Sequence, residues 1–189
     1  MSSVVISGDT SGAITVAAPA VSGTNTLTLQ AATATNAVNT LATAVTSTSG
    51  TSIDFTSLPS WIKRITVIFS GVSLNGSANI LIQLGSGSVT TSGYVSQSYG
   101  TNNAGVTSTS GFACLVGAAA QSIIGTATIN LITGNTWVSS HGYAIPGSTV
   151  SAAGGGNIAL GGVLDRVRIT TTNGTDTFDA GTVNILYEG

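Results

Sequence analysis

From about Thr51 to the end of the chain, short runs rich in Val, Ile and aromatic residues alternate with turns built from Gly, Ser, Asn and Thr. That punctuation is the spacing expected of a sandwich and not of βαβ units, and it predicts antiparallel pairing. The runs are Ser52–Phe55, Ile62–Val72, Ala78–Leu84, Gly93–Tyr99, Phe112–Val116, Gly125–Ile132, Thr136–Tyr143, Asn157–Leu160, Leu164–Thr171 and Thr182–Glu188. Their number and spacing predict an all-β fold, a jelly-roll-like antiparallel β-sandwich over residues 46–189. Strict alternation places Ile65, Val67 and Phe69 on one face of their run, and Val163, Val167 and Ile169 on one face of theirs. Arg166 and Arg168 then point away from the core. Val183, Ile185 and Tyr187 repeat the pattern in the last run.

Residues 1–45 have a different texture. Val4–Ser7 and Ala13–Ala17 flank a Gly8–Gly12 turn, and a third alternating run covers Thr24–Leu29. The apolar side chains on these runs, Val4, Ile6, Ile14, Val16, Leu27 and Leu29, are small and few. Ordering a backbone costs roughly 1–2 kcal/mol per residue, and so little apolar surface does not offset it. The segment is therefore expected to be a short, extended anchoring and oligomerisation region that folds on a partner: symmetry mates, the body of its own chain, or a docking surface on a larger particle. Ala31–Ala44, rich in Ala, Thr and Asn, reads equally as a short helix or an extended linker.

Charge sharpens the picture. Only 5% of residues are Asp, Glu, Lys or Arg, against roughly 25% in ordinary soluble domains. Net charge is −2 and mean hydropathy is +0.44, which gives a free monomer little protection against association. Much of the surface is expected to be buried against copies of the chain. Recurring Val and Ile argue against disorder. Four Lys and Arg residues make no basic stripe, which excludes nucleic acid as a partner. No stretch has the roughly 18 consecutive apolar residues of a membrane span, and Met1-Ser2-Ser3-Val4 lacks the basic start of a secretory signal. The expectation is a chain made in the cytoplasm of the cell that produces it, without membrane insertion. Cys114, within Phe112–Val116, reads as a buried, inert thiol.

The chemistry-bearing residues are sparse. The single histidine, His141, has no motif placing a carboxylate beside it and reads as a surface or turn residue. Asp9, Asp54, Asp165, Asp176, Asp179 and Glu188 form no recognisable acid–base pair. Asn173–Asp179 reads as an Asx-type turn rather than a calcium loop, and Gly154–Gly156 as a loop. No catalytic residue, metal ligand or cofactor is expected. Aromatic faces stack on sugars, so Tyr94, Tyr99, Trp137, His141 and Tyr143, in or beside Gly- and Ser-rich stretches, are the candidate ligand contacts. Packing against a core or subunit interface is the competing role for each.

Gly8-Asp9-Thr10-Ser11-Gly12 followed by Ile14–Ala20 resembles the opening segment of tailed-bacteriophage fibre proteins. Trp61–Val67, Gly134–Ser140, Leu164–Thr170 and the closing Asn173–Gly189 are similar to a module at the C-terminal end of phage virion proteins. The resemblance implies a non-enzymatic virion surface protein, a homotrimer attached through its N-terminal segment to capsid or tail proteins. It leaves open a short fibre or spike that touches host cell-surface polysaccharide, a capsid cement or decoration protein with no receptor role, and a polysaccharide depolymerase spike. No collagen-like, coiled-coil or β-helical repeats separate the two regions, which favours a short appendage over a long fibre.

Overall fold

The computed structural model describes residues 3–7, 13–17, 38–119 and 121–189, and every regular element among them is a β-strand. The chain divides into two compact units, Met1–Asn36 and Ala37–Gly189. In the first, β1 (Ser3–Ser7) and β2 (Ala13–Ala17) pair as an antiparallel hairpin. Val4 registers with Val16 and Ile6 with Ile14. Leu27 and Leu29, with the expected third run, lie outside the described residues.

The second unit holds two antiparallel sheets. The larger has nine strands: β3 (Asn39–Leu41), β4 (Val45–Thr46), β6 (Arg64–Leu74), β9 (Val95–Gly100), β10 (Gly105–Ser108), β12 (Ile123–Thr133), β13 (Thr136–Ile145), β14 (Val150–Ala159) and β16 (Phe178–Glu188). Its order is β10-β9-β14-β13-β12-β6-β16-β3, with β4 also on β16. The smaller has five: β5 (Ser52–Phe55), β7 (Ile80–Ser86), β8 (Ser88–Val89), β11 (Phe112–Cys114) and β15 (Arg166–Thr171), in the order β11-β7-β15-β5 with β8 on β7.

Strand pairs nest inside one another along the chain: β6 with β16, then β7 with β15, then β9 with β14. Successive pairs alternate between the sheets, which is the wrapping of a jelly roll. The β12–β13 hairpin enters the larger sheet between β14 and β6 and widens it. One continuous core fills the space between the sheets. Ile65, Val67 and Phe69 of β6 are buried there, as are Val167 and Ile169 of β15 and Val183 and Ile185 of β16. Each such side chain contributes roughly 1.5–3 kcal/mol by leaving water. Ile80–Leu84 of β7 is buried on both faces, which explains its nearly unbroken apolar run.

Several expectations need correcting. The compact unit begins at Ala37, so the expected boundary at 45/46 falls inside it: β3 and β4 pair with the open edge of β16, and Val38 and Gly189 exchange backbone hydrogen bonds. Asn39–Leu41 is thus extended, not helical. Val163 is 55% exposed and precedes the strand, while Leu164 takes the core position. The cause is Asp165, whose carboxylate accepts from Gly87 N at 3.0 Å and whose backbone oxygen accepts from Leu58 N at 2.9 Å, holding a loop where alternation alone would continue a strand. Gly154–Gly156 lies inside β14 and forms no loop. A Cβ on Gly154 would collide with Gln97 O and fall 2.6 Å from His141 Nε2, so glycine is required by close approach rather than by a turn. Strand β10 escaped the pattern because Gly105-Val106-Thr107-Ser108 carries a single apolar residue.

Candidate functional site

Strand β9 reads Val-Ser-Gln-Ser-Tyr-Gly, and its alternation turns Ser96 and Ser98 inward while Val95, Gln97 and Tyr99 face out. Ser98 registers with Gly154 on β14, which registers in turn with His141 on β13. Because Gly154 has no side chain, Ser98 and His141 meet across it, with Ser98 Oγ 3.0 Å from His141 Nε2. Tyr143 OH lies 3.2 Å from the same Ser98 oxygen and donates to Leu115 O at 2.8 Å. The amides of Ala113 and Leu115 donate to Ser96 Oγ at 2.8 Å and Ser98 Oγ at 3.2 Å. Side chains of the larger sheet therefore satisfy backbone groups of β11 and of the residue beyond it, and this polar seam ties the sheets together at one end of the core.

The seam decides the fate of most of the candidate ligand contacts. His141, expected at the surface or in a turn, is 7% exposed in the middle of β13 and stacks on Tyr143, ring centroids 5.5 Å apart. Burial lowers its pKa to about 4, so the imidazole is neutral at ordinary pH. Tyr143 is buried, which raises its phenol pKa. Trp137 is buried on the same face of β13, and its Nε1, like Ser139 Oγ and His141 Nδ1, has no partner among the described residues. Tyr94 is buried edge-on against Phe112 at 5.1 Å; its hydroxyl accepts from Leu84 N at 2.7 Å, and burial pushes its pKa up to about 12. Period-two alternation directs these four side chains inward, so none is a platform for a ligand. Tyr99 alone keeps that position. It is 48% exposed, and its hydroxyl donates to Asn103 Oδ1 at 3.2 Å.

Beside it, Val95, Gln97, Thr107 and Thr109 line a cleft of about 420 Å³ that also touches Tyr94 and Ser96. Its surface offers hydroxyls, an amide and aliphatic carbon, with no charge. Sequence reasoning missed Gln97 and Thr107 because neither carries a motif; the signal lay in the Ser-x-Ser alternation, which turns the residues between and beside the serines outward. A second, open groove of about 450 Å³ lies at Lys63, Arg64, Asn130, Leu131, Glu188 and Gly189.

The charged groups are largely committed to one another. Arg168 grips Asp54 through two bonds of 2.7 and 3.0 Å, Arg166 grips Asp165 through two of 2.7 and 3.1 Å, and Arg64 pairs with Glu188. Each guanidinium holds its pKa up, and those of Asp165 and Glu188 are drawn below the usual carboxylate range by their partners. Asn173 Oδ1 accepts from the amides of Thr175 and Asp176, both at 3.0 Å, which makes the 173–179 segment an Asx turn. Asp176 in turn accepts from Ala78 N at 2.9 Å and Asn173 Nδ2 at 2.8 Å, contacts that lower its pKa. Among the described residues no group of three or more His, Cys, Asp and Glu side chains is placed to hold a metal ion. Cys114 is buried, and burial pushes its thiol pKa up to about 12, which removes the reactive thiolate. No protein-family model, curated protein or solved structure matches this chain.

Proposed function

We propose that this chain is a non-enzymatic structural subunit on the exterior of a tailed-bacteriophage virion: a homotrimeric short fibre, spike or decoration protein that attaches to capsid or tail proteins through its N-terminal segment. The observation that carries this reading is where the reactive groups sit. The histidine and the cysteine, the side chains best suited to proton transfer and nucleophilic attack, are enclosed in the core, and the three described arginines are all paired with carboxylates. Apart from those ion pairs, what the larger sheet turns outward is mostly hydroxyl, amide and aliphatic surface, suited to packing and to neutral polar ligands. The resemblance of Gly8–Ala20 and Asn173–Gly189 to phage virion segments supplies the setting. Tyr99 with the adjoining cleft is the place where a host cell-surface polysaccharide would make contact, since a half-exposed ring stacks on a sugar and Gln97 and Thr107 can hydrogen-bond it.

Cryo-EM reconstruction of the intact particle, with the chain located in density, tests the reading. Copies confined to the tail support host attachment. Copies spread over the shell with residues 1–45 ordered on it assign the cement role and end the fibre-tip reading. Absence from every particle overturns the virion assignment.

A further inference from the structure

The two outer surfaces of the sandwich differ in charge. The smaller sheet carries Asp54, Arg166 and Arg168 outward. On the larger sheet, five adjacent strands, β10-β9-β14-β13-β12, contain no Asp, Glu, Lys or Arg at all. Their outward residues are neutral and mostly small. One row across the sheet, read from the register, runs Tyr99, Ala153, Gly142, Thr126, Ile68, Asn184 and continues the uncharged surface onto β6 and β16. Val95 and Ile124 on the same face are exposed.

We infer that this outer face of the larger sheet, from β14 across to β16, is the surface on which copies of the chain pack against one another, with the β9–β10 edge that carries Tyr99 and its cleft left outside the contact. The inference rests on the homo-oligomeric reading above and names its interface. Size fits: at about 4.8 Å between strands and 3.3 Å per residue, β14, β13 and β12 present about 490 Å², and the neutral parts of β6 and β16 bring the face to the ~800 Å² per partner of a stable interface. Chemistry fits too. A sheet face of Gly, Ala, Ser and Thr lets the same faces of three copies close around a shared axis at about the 10 Å of sheet-on-sheet packing, and it buries no unpaired charge when it does so. A charged partner would find nothing here to pair with, whereas a copy brings an equally uncharged face. The charged pair nearest the patch, Arg64 with Glu188, sits at its end and is already matched within the chain.

The test is the mass of the full chain by light scattering after gel filtration, with and without Thr126→Lys plus Ser140→Lys, two exposed outward positions. The expected result is an oligomeric parent, a double variant at the single-chain 18.5 kDa, and an oligomeric Ser88→Lys control, whose added charge lies on the smaller sheet. Far-UV circular dichroism establishes that the variants fold, and Ser140→Glu alone replaces the double variant if that one does not. A double variant that stays oligomeric overturns the interface and leaves the oligomer reading standing. A parent at 18.5 kDa at high concentration overturns the oligomer reading itself. A variant that keeps its mass but loses binding to neutral polysaccharide assigns the face to a sugar and not to a copy.

Discussion

The core has two halves held by different physics. Between the middles of β6, β15 and β16 it is apolar: Ile65, Val67, Phe69, Ile169, Val183 and Ile185 are all buried, and what binds them is transfer from water plus close packing. Around β9, β11 and β13 it is wired: Ser96, Ser98, His141 and Tyr143 are equally buried but act through hydrogen bonds with fixed directions. The difference teaches a division of labour. Apolar burial is nondirectional and tolerates swaps of similar volume, so it holds the sheets together without strictly defining where they meet. The polar seam defines the position of β11 over β9, because a shift by one residue would leave the amides of Ala113 and Leu115 without acceptors. Small residues are the counterpart of that wiring. Gly154 and Gly156, opposite the serines of β9, keep the space between hydrogen-bonding partners clear.

The contrast is breakable. Its largest expected effect is on the apolar side, where Phe69→Ala should cost about 3–5 kcal/mol in urea-unfolding free energy, since it removes a fully buried ring and leaves a cavity. A loss well under that figure would mean the apolar half collapses around the gap and is less tightly packed than its burial implies. Acid is the next probe, and it acts on the wired side. The folded pKa of His141, about 4, lies below the 6.5 of a free imidazole, so the unfolded chain binds the proton first. Stability from this group is therefore full above about pH 7 and falls as pH drops through 6.5 toward 4, by about 3 kcal/mol. Asp165, Asp176 and Glu188, whose folded pKa values are lowered, add their own loss at more acid pH. The readout is accordingly the difference between the parent and His141→Asn, whose unfolding midpoint should be the flatter of the two between pH 7 and 4.5. Equal slopes would remove the histidine from the account.

Smaller effects sharpen where the seam lies. Gly154→Ala should destabilise by about 2–3 kcal/mol, the upper range for overpacking, because the new methyl meets Gln97 O and His141 Nε2 together. Gly142→Ala, which has open space around its Cβ position on the outer face, should be nearly silent in the same thermal melts. Tyr143→Phe should cost about 1–2 kcal/mol by removing the donor to Leu115 O while keeping the ring, with faster amide exchange at Leu115 than in the parent. Unchanged exchange there would show that the serines of β9 hold the end of β11 without Tyr143.

The sequence by itself determined the class of fold and much of its core. Alternation made Ile65, Val67 and Phe69 one face, the rhythm of strand and turn pointed to a sandwich rather than to βαβ units, and the apolar run around Cys114 placed that thiol inside; all of these are local properties, set by the two-residue period of a strand and the punctuation between strands. Of the five aromatic and imidazole side chains singled out as ligand contacts, only Tyr99 proved to lie outward. Periodicity says which residues share a face but not which face is covered, and that depends on a sheet contributed by strands far along the chain. Whether polar residues such as Ser98 and His141 belong inside was decided only where β9, β13 and β14 came into register, because a buried polar group is tolerated through a partner that tertiary structure alone supplies. The same holds for Gly154: a glycine run reads as a loop until two neighbouring strands leave no room for a side chain.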